Sequence, residues 1–230
     1  MTRDEHQREW EREALRVHRR YQREVVEGLG LCPWAEKARL EGKVRERVLT
    51  QTEDADVGPS VAAIGELGHD LGAEVVFLVY PRLRLGRSRF DDFATRVRTT
   101  DAQRYSLGSV PFVFAVFHPD AEPDMGDAER LIPFLRRTPD PTLQLLRSSS
   151  LDAVRSVASQ GTQFVSIAAV EASLSGAVVL PPLRERIARA NLATATRMGV
   201  DALRRVLDDI RRDRDEAYGA LDGAAAWGNG

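Results

Sequence analysis

The chain has 230 residues, 43% of them hydrophobic, and a formal net charge of −2 from 33 basic and 35 acidic side chains. That is enough apolar material for one substantial core, and one domain is the expected count. The near-neutral balance excludes the basic field of a non-specific nucleic-acid binder. The single cysteine excludes an internal disulfide, and the lack of any run of about 18 apolar residues excludes a membrane-spanning helix.

Trp10, Ala14, Val17, Tyr21 and Val25 recur at three- and four-residue spacing, which predicts an amphipathic helix over about 2–27. Gly28 or Gly30 is placed to end it in a left-handed cap. Pro33 suits the first position of a second helix running to Gly42, which would make Cys32 its N-cap. A thiol there faces free N–H groups and the positive end of a helix dipole, both of which favour thiolate. The competing reading is a packed, inert cysteine.

Residues 43–50 alternate, with Val44 and Val48 on one side and Arg45 and Arg47 on the other, as in a half-buried strand. A helix over 58–71 follows, with Val61, Ile64, Leu67 and Leu71 on its apolar face. The unbroken apolar runs 74–80 and 112–117 predict two strands buried on both faces, parallel to each other, with a short helix over 90–98 between them. Further helices are predicted near 127–136 and 142–157, and a long one over 183–217. In the 142–157 helix, Asp140 would be the N-cap and Pro141 the first residue. Residues 162–170 fit a strand or a helix equally. The whole is a helix-rich α/β fold: a small, mainly parallel sheet of three or four strands, covered by helices on both faces. The single domain spans 1–218, and the Gly/Ala-rich 219–230 reads as a disordered tail.

Both apolar strands stop before a proline, at Tyr80-Pro81-Arg82 and at His118-Pro119-Asp120. If the strands are parallel, their carboxyl ends share one rim, and open α/β sheets bind ligands there. His118, Asp120, Arg82 and Arg84 would then cluster. His118 is suited to proton transfer or metal ligation, and equally to capping a turn. The carboxylates Glu122, Asp124, Asp127 and Glu129 follow it, so a His/Asp metal site is a further alternative. Arg137 and Thr138, near the expected helix start at Pro141, would face the same region as an anion pocket.

Four segments in order, Leu31-Cys32-Pro33-Trp34-Ala35, Phe117-His118-Pro119-Asp120, Arg137-Thr138-Pro139-Asp140-Pro141 and Leu143-Gln144-Leu145-Leu146-Arg147, resemble the motifs of the bacterial family called domain of unknown function 1415. Asn191 lies in a final helix similar to the family's, and the likeness spans about 20–210. Asp140, Gln144 and Ser148 depart from it, standing where the family tends to have tyrosine, histidine and glutamate, and the stretch 158–182 is longer. The resemblance carries no activity. It implies a site at Cys32, His118 and Arg137.

The leading expectation is therefore a small-molecule enzyme, expected in the cytoplasm because residues 1–9 show no apolar signal core. Cys32 would be its nucleophile or redox centre, His118 the base and Arg137 the anion binder. Pro33, Trp34, Arg82, Asp120, Thr138 and Arg147 would bind an anionic small-molecule ligand. A site of this kind requires the functional atoms of Cys32, His118 and Arg137 to lie within about 10 Å of one another. The alternative is a non-catalytic small-anion-binding or partner-docking protein on the same rim, and a further one is a metal-dependent hydrolase. The residues name no cofactor and imply neither nucleic acid nor membrane as partner.

Overall fold

The computed structural model describes residues 2–32, 34–105, 110–121, 123–150 and 183–227. Helix α1 spans Arg3–Tyr21 and continues as a π-helical turn through Gln22–Glu27. A capping box starts it: the Thr2 hydroxyl accepts from Glu5 N–H while the Glu5 carboxylate accepts from Thr2 N–H. The expected stripe of Trp10, Ala14, Val17, Tyr21 and Val25 is buried throughout. Gly30, at φ 63°, ends the helical run, with Leu31 N–H donating to Val26 O and Gly30 N–H to Glu27 O. This is the Schellman arrangement, and it needs a left-handed residue at that point. Gly30→Ala is expected to cost about 1–2 kcal/mol, because space is free around the position and only the backbone conformation is strained. Urea titration of the variant checks this, and an unshifted midpoint would contradict it.

The remaining elements follow in order: α2 (Ala35–Leu40), β1 (Val44–Val48), α3 (Gly58–Gly68), β2 (Val75–Val79), α4 (Arg87–Ala102), β3 (Phe112–Phe117), α5 (Ala128–Leu135), β4 (Thr142–Arg147), α6 (Leu183–Met198) and α7 (Val200–Trp227). The sheet order is β1-β2-β4-β3. β1 and β2 are parallel, and β4 lies antiparallel between β2 and β3. The fold is α/β and helix-rich as expected, but the sheet is mixed rather than mainly parallel. Since β2 and β3 each run opposite to β4, they run parallel to each other and their carboxyl ends do share one rim.

Helices cover both faces. On one, Val76, Leu78 and Tyr80 of the β2 segment and Leu143 and Leu145 of β4 pack against Ile64 and Leu67 of α3 and Phe90, Phe93 and Val97 of α4. On the other, Phe77, Val79 and Val48 meet Trp10 and Ala14 of α1 and Tyr218 of α7. A third cluster joins Val17, Tyr21, Val25 and Leu31 to α5, α6 and α7. Arg16 forks onto Asp213 at 2.7 and 2.9 Å and Arg20 reaches Asp209 at 2.6 Å, which fixes α1 against α7.

Several expectations need correcting. Residues 142–147 form a strand and not the start of a helix, so Asp140 is no N-cap. Leu143 and Leu145 point to one buried face at strand period, and the gap between β2 and β3 is closed only by a strand that pairs with both. β3 is an edge, and Val113 is 44% exposed there, on the same face of the sheet as Phe77 and Val79. Leu71 lies beyond the end of α3 and is 84% exposed. The helix expected over 183–217 is two, broken at Gly199 (φ 85°), and the second continues to Trp227 through much of the Gly/Ala-rich segment. The stretch 162–170 and the rest of 151–182 lie outside the described residues. Among those described, no helix is long and apolar enough to cross a membrane.

Candidate functional site

The rim is organised by β4. Thr142, its first residue, sits in register with Val79 of β2 and Phe117 of β3, so Asp140 and Pro141 fall between the two strand ends. Tyr80 N–H donates to Pro141 O at 3.0 Å. The Thr138 and Thr142 hydroxyls both donate to Asp140 O, at 2.6 and 2.9 Å. This turn aims the Asp140 side chain at α7. There one carboxylate oxygen accepts from Arg214 Nε at 2.9 Å and the other from Tyr218 Oη at 2.7 Å. Asp140 has no exposed surface. Burial pushes its carboxyl up, against the opposing pull of Arg214 and the Tyr218 hydroxyl. Burial, and then the adjacent carboxylate, push the Tyr218 hydroxyl up as well, so it keeps the proton that it donates.

α7 lies along this rim and meets it with one face. Asp208 reaches Arg137 at 3.4 Å, Arg211 reaches Asp120 at 3.8 Å, and Arg214 and Tyr218 hold Asp140. Asp222 stands 3.9 Å from Arg84. Residues 208, 211, 214–215, 218 and 222 recur at helical spacing, which is why one straight element spans the whole rim.

Between the β2 end and α7 a cavity of about 380 Å3 opens, lined among others by Trp10, Arg82, Arg84, Arg214, Asp215 and Asp222. Arg82 lies over the Trp10 ring, its guanidinium carbon 5.4 Å from the ring centre. Among the described residues Arg82 has no carboxylate partner. Arg214 differs: Asp140 and Asp215 both hold it, and its third group lies 3.4 Å from Pro81 O. Although burial pulls its guanidinium down, these carboxylates leave it above its ordinary value.

The other residues expected at a site are placed as follows. His118 is buried and both ring nitrogens meet backbone: Nδ1 accepts from Asp120 N–H at 3.1 Å, and Nε2 lies 2.9 Å from Leu85 O, which can only accept. The ring is therefore the Nε2–H tautomer capping its own turn. Arg137 joins the same turn, Nε donating to Pro119 O at 2.9 Å, and His118 N–H donates to Arg136 O at 3.2 Å. His118, Asp120, Arg137 and Thr138 are thus neighbours on the rim. Cys32 is half-buried after Leu31, and among the described residues no hydrogen bond or ion pair joins it to His118 or Arg137. It is not an N-cap: α2 starts at Ala35 behind Trp34, whose side chain makes no capping bond, and Cys32 contributes only its carbonyl to Ala35 N–H. Pro33 lies outside the described residues.

Arg147 leaves the rim altogether. Because β4 runs antiparallel, its end lies at the opposite end of the sheet from the rim, where Arg147 donates to Ala73 O and Asp70 O at 2.6 and 2.7 Å and covers Phe112. Among the described residues no three His, Cys, Asp or Glu side chains converge as a metal site requires. Sequence reasoning missed Trp10, Arg214, Tyr218 and Asp222. The legible trace was the spacing of charged and aromatic positions along 208–222, and an aspartate enclosed by two prolines.

The fold and rim define an α/β protein with a cleft lined by arginines and aspartates at the carboxyl end of β2. The chain belongs to the family described as Protein of unknown function (DUF1415), whose model matches residues 13–166. No curated protein and no solved structure matches it.

Proposed function

We propose that this protein binds a small molecule through an anionic group, at the cleft between the end of β2 and α7. The observation that carries the reading is Arg82: a guanidinium fixed over Trp10, facing a cavity of about 380 Å3, with no carboxylate partner among the described residues. Arg84, beside it, is held only loosely by Asp222. A carboxylate or phosphate between the two would accept charge-assisted hydrogen bonds from both. The volume suits a metabolite of modest size. His118, with one ring nitrogen serving its own turn and the other the Leu85 carbonyl, supports a binding reading over proton transfer by that residue.

The test is calorimetric titration at low salt with two simple anions, ethyl phosphate and propionate. Saturable binding of at least one is expected, weakening with ionic strength and falling about tenfold in Arg82→Gln, the loss of one charge-assisted contact. The variant should melt close to the parent, since the stabilising contact it loses is the one over Trp10 of α1, worth about 0.5–1 kcal/mol. Absence of saturable heat with both probes, or indifference to Arg82→Gln, would overturn the reading.

A further inference from the structure

The two walls of the cleft carry opposite charge. The loop after β2 supplies Arg82 and Arg84, and α7 supplies Asp215 and Asp222, two helical turns apart and therefore on one face. Arg214, between the walls, is matched by the buried Asp140 beneath it. Counting Asp140, three guanidinia stand against three carboxylates and the cleft has no net charge. A cleft built for a simple anion would carry a surplus of positive charge, and this one carries none.

Binding an anion also has a local consequence. A carboxylate or phosphate at Arg82 and Arg84 competes with Asp222 for Arg84, whose contact at 3.9 Å is too long for a hydrogen bond. Asp222 then loses its counter-charge. One oxygen of Asp215 serves Arg214 at 2.7 Å, and among the described residues the other has no hydrogen-bond partner, on an exposed side chain. The two α7 carboxylates, about 10 Å apart along the helix, thus offer a cation two alternative seats opposite the arginines that receive an anion. Resting on the anion-binding reading above, we infer that the ligand is a small zwitterion, with its anionic group on Arg82 and Arg84 and an ammonium group on Asp222 or Asp215.

The inference is tested with matched probes that differ only in the amine: phosphoethanolamine against ethyl phosphate, and β-alanine against propionate. In at least one pair the amine-bearing member is expected to bind about fivefold tighter or better, the worth of one partly exposed charge pair. The double variant Asp215→Asn, Asp222→Asn should abolish that preference while leaving the amine-free probe bound as well as before, or better. If the amine-free members bind as tightly as their partners, the zwitterion is wrong and the anion site stands. If the double variant keeps the preference, the amine is recognised elsewhere and the inference also fails. If none of the four probes binds saturably, the anion-binding reading itself is wrong.

Discussion

Asp140→Ala is expected to destabilise the protein by about 3–5 kcal/mol, the cost of stripping one partner from a buried ion pair. Arg214 would be left largely enclosed, with Asp215 alone to balance it, and the Tyr218 hydroxyl would lose its acceptor. Most of that loss belongs to the stranded guanidinium and not to the missing contact. The same substitution in an Arg214→Met background should therefore cost markedly less, and denaturant titration of the four proteins measures the difference as a coupling. Losses that simply add would show that Asp140 and Arg214 are energetically independent.

The second large effect concerns acid. His18 lies on the buried face of α1, its ring 4.8 Å from that of Phe77, and among the described residues neither nitrogen has a hydrogen-bond partner. Burial, aided by Arg19, pushes its pKa down to about 3. The unfolded histidine takes up a proton near 6.5, so between these values the unfolded chain binds more protons than the folded one. Stability then falls as pH falls, by at most about 1.4 kcal/mol per pH unit, or about 2 kcal/mol between pH 6.5 and 5. Asp213, held down at about 2 by Arg16 and Arg20, works in a different window: its contribution is complete above about pH 4 and is lost as pH falls toward 2. His18→Leu should flatten the slope between 6.5 and 3, leave the part of the drop below 4 that belongs to Asp213, and raise stability at neutral pH by about 1–3 kcal/mol. A parent protein equally stable at pH 7 and pH 5 would contradict this account.

What the sequence reveals of the fold is what periodicity can carry. The stripe on α1 and the apolar run of β2 are long and unambiguous, and the strand ends at Tyr80 and His118 are marked by their prolines. The segment Leu143-Gln-Leu-Leu146 satisfies both periods, with Leu143 and Leu146 at helical spacing and Leu143 and Leu145 at strand spacing. A capping signal at Asp140 tips the local reading to helix, whereas the open place between β2 and β3 decides for strand. That one reversal moves Arg147 to the end of the sheet away from the rim and turns Asp140 from a cap into the pin of the rim. Arg82 is legible because it follows a strand stop. Trp10, Asp140, Arg214 and Tyr218 meet only through tertiary packing, and no short-range pattern could have joined them.

The position of Asp140 has a consequence for the order in which the chain acquires its structure. Its partners Arg214 and Tyr218 follow it by 74 and 78 residues, and Arg16 waits 197 residues for Asp213. During synthesis the sheet can assemble once β4 has emerged, yet the carboxylate at its centre remains without its counter-charge until the last helix arrives. Loop closure over such separations is slow compared with helix or hairpin formation. In a chain made from its N-terminus, the rim cannot close over Asp140 before α7 has emerged, and docking of α7 is the event that buries it.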